Sequence, residues 1–124
     1  MTKILYQLES YQIIGILFDV HRNLGGGFSE IVYKDALEYE FKKANIPFER
    51  EKEYLVNYKD IILNHKFYAD FILFDKIILE VKSSEFLHPK YISQCLNYLK
   101  VSKTHLAILA NFNSVSLEYK RIIL

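Results

Sequence analysis

The segment YADFILFDKIILEVK, residues 68–82, constrains the fold of this chain more than any other. Two apolar runs flank Asp75-Lys76, a tight reversal, so they pair as antiparallel strands. Both runs are apolar on both faces, which requires cover on each side and a central place in a sheet. Into them the sequence inserts Asp70, Glu80 and Lys82. Alternate residues of a strand share a face, so Glu80 lies with Ile78 and Lys82, and Asp70 with Tyr68, Ile72 and Phe74. An unpaired carboxylate away from water costs several kcal/mol. Lys82 neutralises one of two adjacent charges and leaves the other in surplus. A divalent cation accommodates both, and hard oxygen donors suit magnesium or manganese rather than zinc. The other reading of these residues keeps both carboxylates solvated near strand ends, with Glu80 paired to Lys82.

The rest of the chain supplies the cover. Residues 9–23 form a helix, with Ile13, Leu17, Val20 and Leu24 at three-to-four spacing. Gly25, Gly26 and Gly27 stop it and form a flexible joint. Ser29 is the N-cap expected for a second helix over 30–44. Residues 48–58 alternate as a strand, Lys59-Asp60 turns, and 61–74 form a second strand, bent or bulged near Asn64-His65. Residues 77–82 form the third. Pro89 fits the first turn of a third helix ending near Lys100. Strands follow over 105–110 and 115–123. The order ααβββαββ, an antiparallel meander followed by a helical crossover, predicts an α/β class of α+β type: a central mixed sheet flanked by helices.

Composition closes off several classes. With 124 residues, 51% hydrophobic and 25% charged, the chain is an ordinary globular sequence, and one domain over 1–124 is expected. Aromatic content of 15% excludes intrinsic disorder. The single cysteine, Cys95, excludes a disulfide scaffold and suits a reducing, cytoplasmic setting. No apolar run is long enough for a membrane span, and the N-terminus lacks a secretion signal pattern. The net charge of +1 gives no global basic field.

Other chemistry-bearing residues are individually weak signals. Glu30 falls in the first turn of the second helix, where the helix dipole favours a carboxylate. Gln94 and Tyr98 are four apart on the third helix and lie near one face. His21 is expected on the polar side of the first helix, His65 and His88 in loops, and Cys95 in a core stripe as a small apolar group. The ten tyrosines are expected in the core and on sheet surfaces.

Together these residues carry a resemblance. Gly27, Glu30 and Tyr33 match the motif that names the GxxExxY family, a branch of the PD-(D/E)XK nuclease superfamily. Asp70, Glu80, Val81 and Lys82 match the D…(D/E)xK signature, and Gln94 and Tyr98 match the QxxxY motif of RecB-like nucleases. The sequence resembles the family over about residues 10–123, with Ala69 where the superfamily motif names proline. The resemblance implies a magnesium- or manganese-dependent nuclease hydrolysing phosphodiester bonds, in DNA rather than RNA. Glu30, Asp70 and Glu80 would hold the metal, with the Val81 carbonyl as a backbone ligand. Lys82 would orient the attacking water and stabilise charge, and Gln94 would position water or phosphate. A homodimer or a protein partner would reconcile the small size with gripping a duplex. The alternative is a catalytically silent binding or scaffolding protein on the same fold.

Overall fold

A computed structural model describes residues 4–124. The elements run α1 (Gln7–Leu24), α2 (Glu30–Lys43), β1 (Phe48–Tyr58), β2 (Ile61–Leu73), β3 (Ile77–Lys82), α3 (Pro89–Ser102), β4 (Leu106–Asn111) and β5 (Glu118–Ile123). This is the order expected from the sequence, in a mixed α/β fold. The five strands form one sheet in chain order. β1, β2 and β3 pair antiparallel, β3 and β4 parallel, and β4 and β5 antiparallel. The parallel step needs a crossover between β3 and β4, and α3 supplies it.

Two cores follow from strand alternation. Ile77, Leu79 and Val81 of β3, with Leu106, Ile108 and Ala110 of β4, face α1 and α2. Ile13, Leu17 and Val20 of α1 and Tyr33, Leu37 and Phe41 of α2 complete that layer. Ile78, Ala107, Leu109 and Ile122 face the other way, onto Cys95 and Leu99 of α3. The sheet is therefore covered on both faces over β3, β4 and the second half of β2, where Phe71 and Leu73 join one core and Ala69 and Ile72 the other, and β3 lies at its centre. β2 is central in its second half alone: residues 61–66 are exposed, while Ala69 and Phe71 to Leu73 are buried. The irregularity expected near Asn64-His65 is present. The β1–β2 register slips between Leu55↔Lys66 and Asn57↔Ile62.

Three local expectations need correction. The triple glycine is a packed junction, not a flexible joint. Gly25, at φ 71°, caps α1 by donating its N–H to the His21 carbonyl. Gly26 lies against the β4–β5 loop, where an added Cβ would meet the Asn113 carbonyl group and the Ser114 oxygen at 2.9 Å or less. His21 is buried rather than polar-facing, because its Nε2 bonds the Ser114 carbonyl oxygen at 2.9 Å across the same junction. The last strand begins at Glu118, and residues 115–117 belong to the loop that the junction holds. Ser29 does occupy the N-cap of α2, but its side chain makes no capping bond.

These contacts set opposite outcomes for two glycines. Gly26→Ala should destabilise the fold by about 1–3 kcal/mol, because backbone must move to admit the methyl. Gly15→Ala, within α1 and with nothing within 4 Å of the new Cβ, should stabilise it by about 1 kcal/mol. Urea unfolding of the two variants measures both signs.

Candidate active site

The β2–β3 ladder stops early. Its pairs run Leu73↔Ile77, Ile72↔Ile78 and Phe71↔Leu79, and there the strands part. Backbone groups beyond that point have no partner strand, and buried backbone donors must find one. The two carboxylates take the role. Asp70 donates its N–H to Glu80 Oε1 at 2.9 Å, and Val81 donates its N–H to Asp70 Oδ2 at 2.8 Å. Asp70 and Glu80 thus close the opening with their side chains where the ladder leaves off.

This geometry accounts for the electrostatics of Glu80. The Glu80 residue is 3% exposed. Burial, and then the neighbouring Asp70 charge, push its carboxyl well above the usual range, against the pull of the Asp70 N–H and Lys82. Asp70 is paired instead with Lys34, whose Nζ lies 3.1 Å from Oδ1. Lys34 reaches across from α2 and also pairs with Glu51. Burial alone would lower the Lys34 pKa, but Glu51 and Asp70 outweigh it and raise it. Glu51 lies between the pairs Arg50↔Phe71 and Lys52↔Ala69, opposite Asp70, with a left-handed φ of 53°.

The charge surplus inferred from the sequence is therefore met within the protein. Lys34 answers Asp70, and the Glu80 environment favours the neutral acid. The sequence reading missed Lys34, although its position one turn after Glu30 put it on the same helix face. Lys82 lies on the far rim, its Nζ donating to Gln94 Oε1 at 3.2 Å and sitting 4.6 Å from the centre of the Tyr91 ring. Asp70, Glu80, Lys82 and Gln94 are thus brought together, and Val81 joins them through its backbone. Glu30 is not. It is exposed at the start of α2, and among the described residues no three His, Cys, Asp or Glu side chains gather closely enough to hold a metal.

The motif around Glu30 has a structural use. Tyr33 donates its hydroxyl to the Gly25 carbonyl at 2.6 Å and accepts the Phe28 N–H at 3.1 Å, while its ring stacks on Phe112. Ser83, just past Lys82, donates to the Phe28 carbonyl. The turn before α2 is thereby tied to the rim of the site. His88 caps α3, accepting the Lys90 N–H on Nδ1 at 3.0 Å. Tyr98 and Cys95 pack behind the site. Burial, and then the nearby Glu80 carboxyl, raise both groups, the Cys95 thiol to about 12. The thiol is inert at neutral pH, as expected of a core cysteine.

The donor set suits a hard divalent cation. Two carboxyl groups share the opening, and Lys82 turns its carbonyl toward β4, bonding the Phe112 N–H. Strand alternation therefore turns the Val81 carbonyl toward β2 and the opening. Asp70, Glu80 and this carbonyl are all oxygen donors, the kind magnesium and manganese prefer.

Two outcomes follow for the metal-free protein. Lys34→Met should cost about 1–3 kcal/mol, since it leaves the 13%-exposed Asp70 side chain without its cation. The folded state raises the Glu80 pKa, so the stability Glu80 contributes below the ordinary glutamate range is lost as pH rises through the raised value. Glu80→Gln should flatten that loss and melt higher than wild type in alkaline, metal-free buffer. Thermal melts across pH measure both variants.

Comparison with known proteins agrees with this architecture. No curated protein sequence matches the chain. The crystal structure of SSO0001 superposes with a TM-score of 0.59 at 24% identity, covering 74% of this chain and 48% of that one. An alkaline exonuclease, LHK-Exo, from Laribacter hongkongensis superposes with a TM-score of 0.55 at 10% identity, covering 99% of this chain and 72% of that one. At such identities the likeness is one of fold, and this chain spans about half of the SSO0001 structure. The family model for the PD-(D/E)XK nuclease superfamily matches residues 7–122. With almost the whole chain matched, and an Asp and a Glu-x-Lys closing the same gap in the sheet, this chain belongs to the PD-(D/E)XK nuclease superfamily.

Proposed function

We propose that the chain is a metal-dependent nuclease of the GxxExxY branch, hydrolysing phosphodiester bonds in DNA, with Asp70, Glu80 and the Val81 carbonyl holding magnesium or manganese. The observation that carries this reading is the joint capture of the β2–β3 opening by Asp70 and Glu80, with Lys82 on its rim. A structural ion pair between Lys34 and Asp70 has no need of a second carboxyl group, yet Glu80 is kept beside Asp70 against the cost of its burial. PD-(D/E)XK nucleases generally use divalent metals. Such a cation, when bound, makes hydroxide available near neutral pH. The rest of the chemistry falls to the chain. Lys82 Nζ, whose charge acts on the Glu80 carboxyl, is available to stabilise a developing phosphorane-like transition state. Gln94 positions that amine through its 3.2 Å bond. Lys34 holds Asp70 in place. DNA as the substrate comes from the resemblance to the GxxExxY branch, and the match to the PD-(D/E)XK nuclease superfamily supports a nucleic-acid substrate. The action of the whole protein in the cytoplasm, alone, as a dimer or with a protein partner, belongs to the same reading.

Lys82→Ala should lower cleavage about 10²–10³-fold, the scale of losing one transition-state donor, while melting as wild type does. Asp70→Asn should abolish cleavage and weaken manganese binding, measured by calorimetry. Assays with magnesium or manganese on single- and double-stranded DNA and RNA test the reading. Absence of cleavage on every form, with no change in melting temperature on adding metal, would favour the silent scaffold.

A further inference from the structure

Where β2 and β3 part, the opening does not end at the carboxylates. It continues as a groove of about 310 Å³ between the outer half of β2 and α3, lined by His65, Lys66, Tyr68, Gln94, Asn97 and Tyr98 among others. Gln94 belongs to both features, since it also accepts from Lys82. The groove thus leads directly from the site. Its β2 wall is unusual in that one strand edge is free. β1 pairs one side of β2 along most of its length, whereas β3 pairs only from Phe71 onward. Asp70 points its N–H toward β3, and on that side no strand pairs with β2 before Phe71. The wall therefore offers an unpaired strand edge together with the Lys66 ammonium, which lies 3.7 Å from Glu53 on the exposed rim.

The wall also carries aromatic surface. Tyr68 is 47% exposed, with its hydroxyl anchored on Glu53 at 3.3 Å. His65 meets Phe67 edge-on at 4.8 Å, and Phe67 meets Tyr98 edge-on at 5.9 Å. His65, Phe67 and Tyr98 form a row fixed edge to edge beside polar Gln94 and Asn97, and the Tyr68 ring stands apart from it, held on Glu53. Backbone-directed donors and a cation beside exposed ring faces are what an unpaired polynucleotide requires, because its phosphates and its bases need separate partners. A duplex presents its bases stacked inward and cannot use the rings. The volume lies at the small end of ligand pockets, about 300–1,000 Å³, room for a nucleotide unit and not for a base pair.

We propose that this groove is a single-strand track that delivers an unpaired end or flap of nucleic acid to the carboxylate site, making the substrate a single-stranded one. The assignment rests on the nuclease reading for its purpose but not for its binding chemistry, so the two can be tested apart. The probe is a fluorescently labelled deoxyoligonucleotide of about ten nucleotides, within the range one such groove engages. Its binding to the whole protein is followed by polarisation in chelator, beside a blunt duplex of the same sequence. Single strand should bind at least about tenfold more tightly than duplex. Tyr68→Ala should weaken it by about tenfold, and Tyr68→Phe should keep it, since the ring and not the hydroxyl is used. Lys66→Ala should lower the salt slope by about 0.7, with melting temperatures unchanged. Equal or tighter duplex binding, or unchanged binding by Tyr68→Ala and Lys66→Ala, would overturn the proposal. So would capture of an extended peptide along the free β2 edge in place of the oligonucleotide. If these variants bind as wild type while the protein still cleaves nucleic acid, the track falls and the nuclease reading stands. If single strands bind through Tyr68 and Lys66 while no nucleic acid is cleaved, the nuclease reading falls and the track stands.

Discussion

The exchange of two hydrogen bonds between Asp70, Glu80 and the backbone of the opposite strand is the interaction on which the site depends. A sheet that simply continued its ladder would have no opening, and a sheet that parted without substitute acceptors would leave buried N–H groups unpaired. Two carboxyl side chains resolve the conflict, because each replaces a carbonyl of the missing ladder. The same substitution forces two acidic groups together in a place nearly closed to water. Their repulsion is limited by Lys34 on one side and by the raised pKa of Glu80 on the other. Structure and chemistry are therefore one arrangement: the feature that ends the ladder also creates the oxygen-rich opening.

The scaffold holds that opening from both faces. On one side α1 and α2 fill the core around Tyr33, Leu37 and Phe41, and Tyr33 pins the turn before α2. On the other, Cys95 and Leu99 of α3 back the strands, and Gln94 from the same helix reaches Lys82. The parallel pairing of β3 and β4 requires the α3 crossover, so the helix that carries Gln94 is also the one that topology demands. The packed glycine junction at Gly26 fixes α1 to the β4–β5 loop and completes the enclosure. No helix among the described residues is long and apolar enough to cross a membrane.

Much of this was legible in the sequence because its signals are local. The period change after Pro47, the reversal at Asp75-Lys76 and Pro89 at the head of a helix identify elements through backbone chemistry that neighbours do not override. Strand parity likewise placed Glu80 with Lys82, and the structure puts Lys82 against Gln94. What the sequence hid depends on distant contacts. Nothing near Lys34 announces that it meets Asp70, 36 residues away. His21 reads as a polar helix residue until Ser114, 93 residues on, offers a carbonyl. The glycines read as a joint until Asn113 closes on them. The charge balance was hidden for the same reason: Lys82 on the same strand as Glu80 is visible in the sequence, whereas Lys34 on another element is not. Glu30 shows the limit of motif matching, since its turn is tied to the site by Tyr33 and Ser83 while its carboxylate stands outside the pair.

The central claim is that the parted strands form a cation site through Asp70, Glu80 and the Val81 carbonyl. Anomalous diffraction from a crystal soaked in manganese tests it most directly. One strong peak is expected in the β2–β3 opening within bonding distance of both carboxyl groups, with Lys34 displaced from Asp70 toward Glu51. A crystal with no peak there, or with manganese bound elsewhere and the Lys34–Asp70 pair intact, would contradict it.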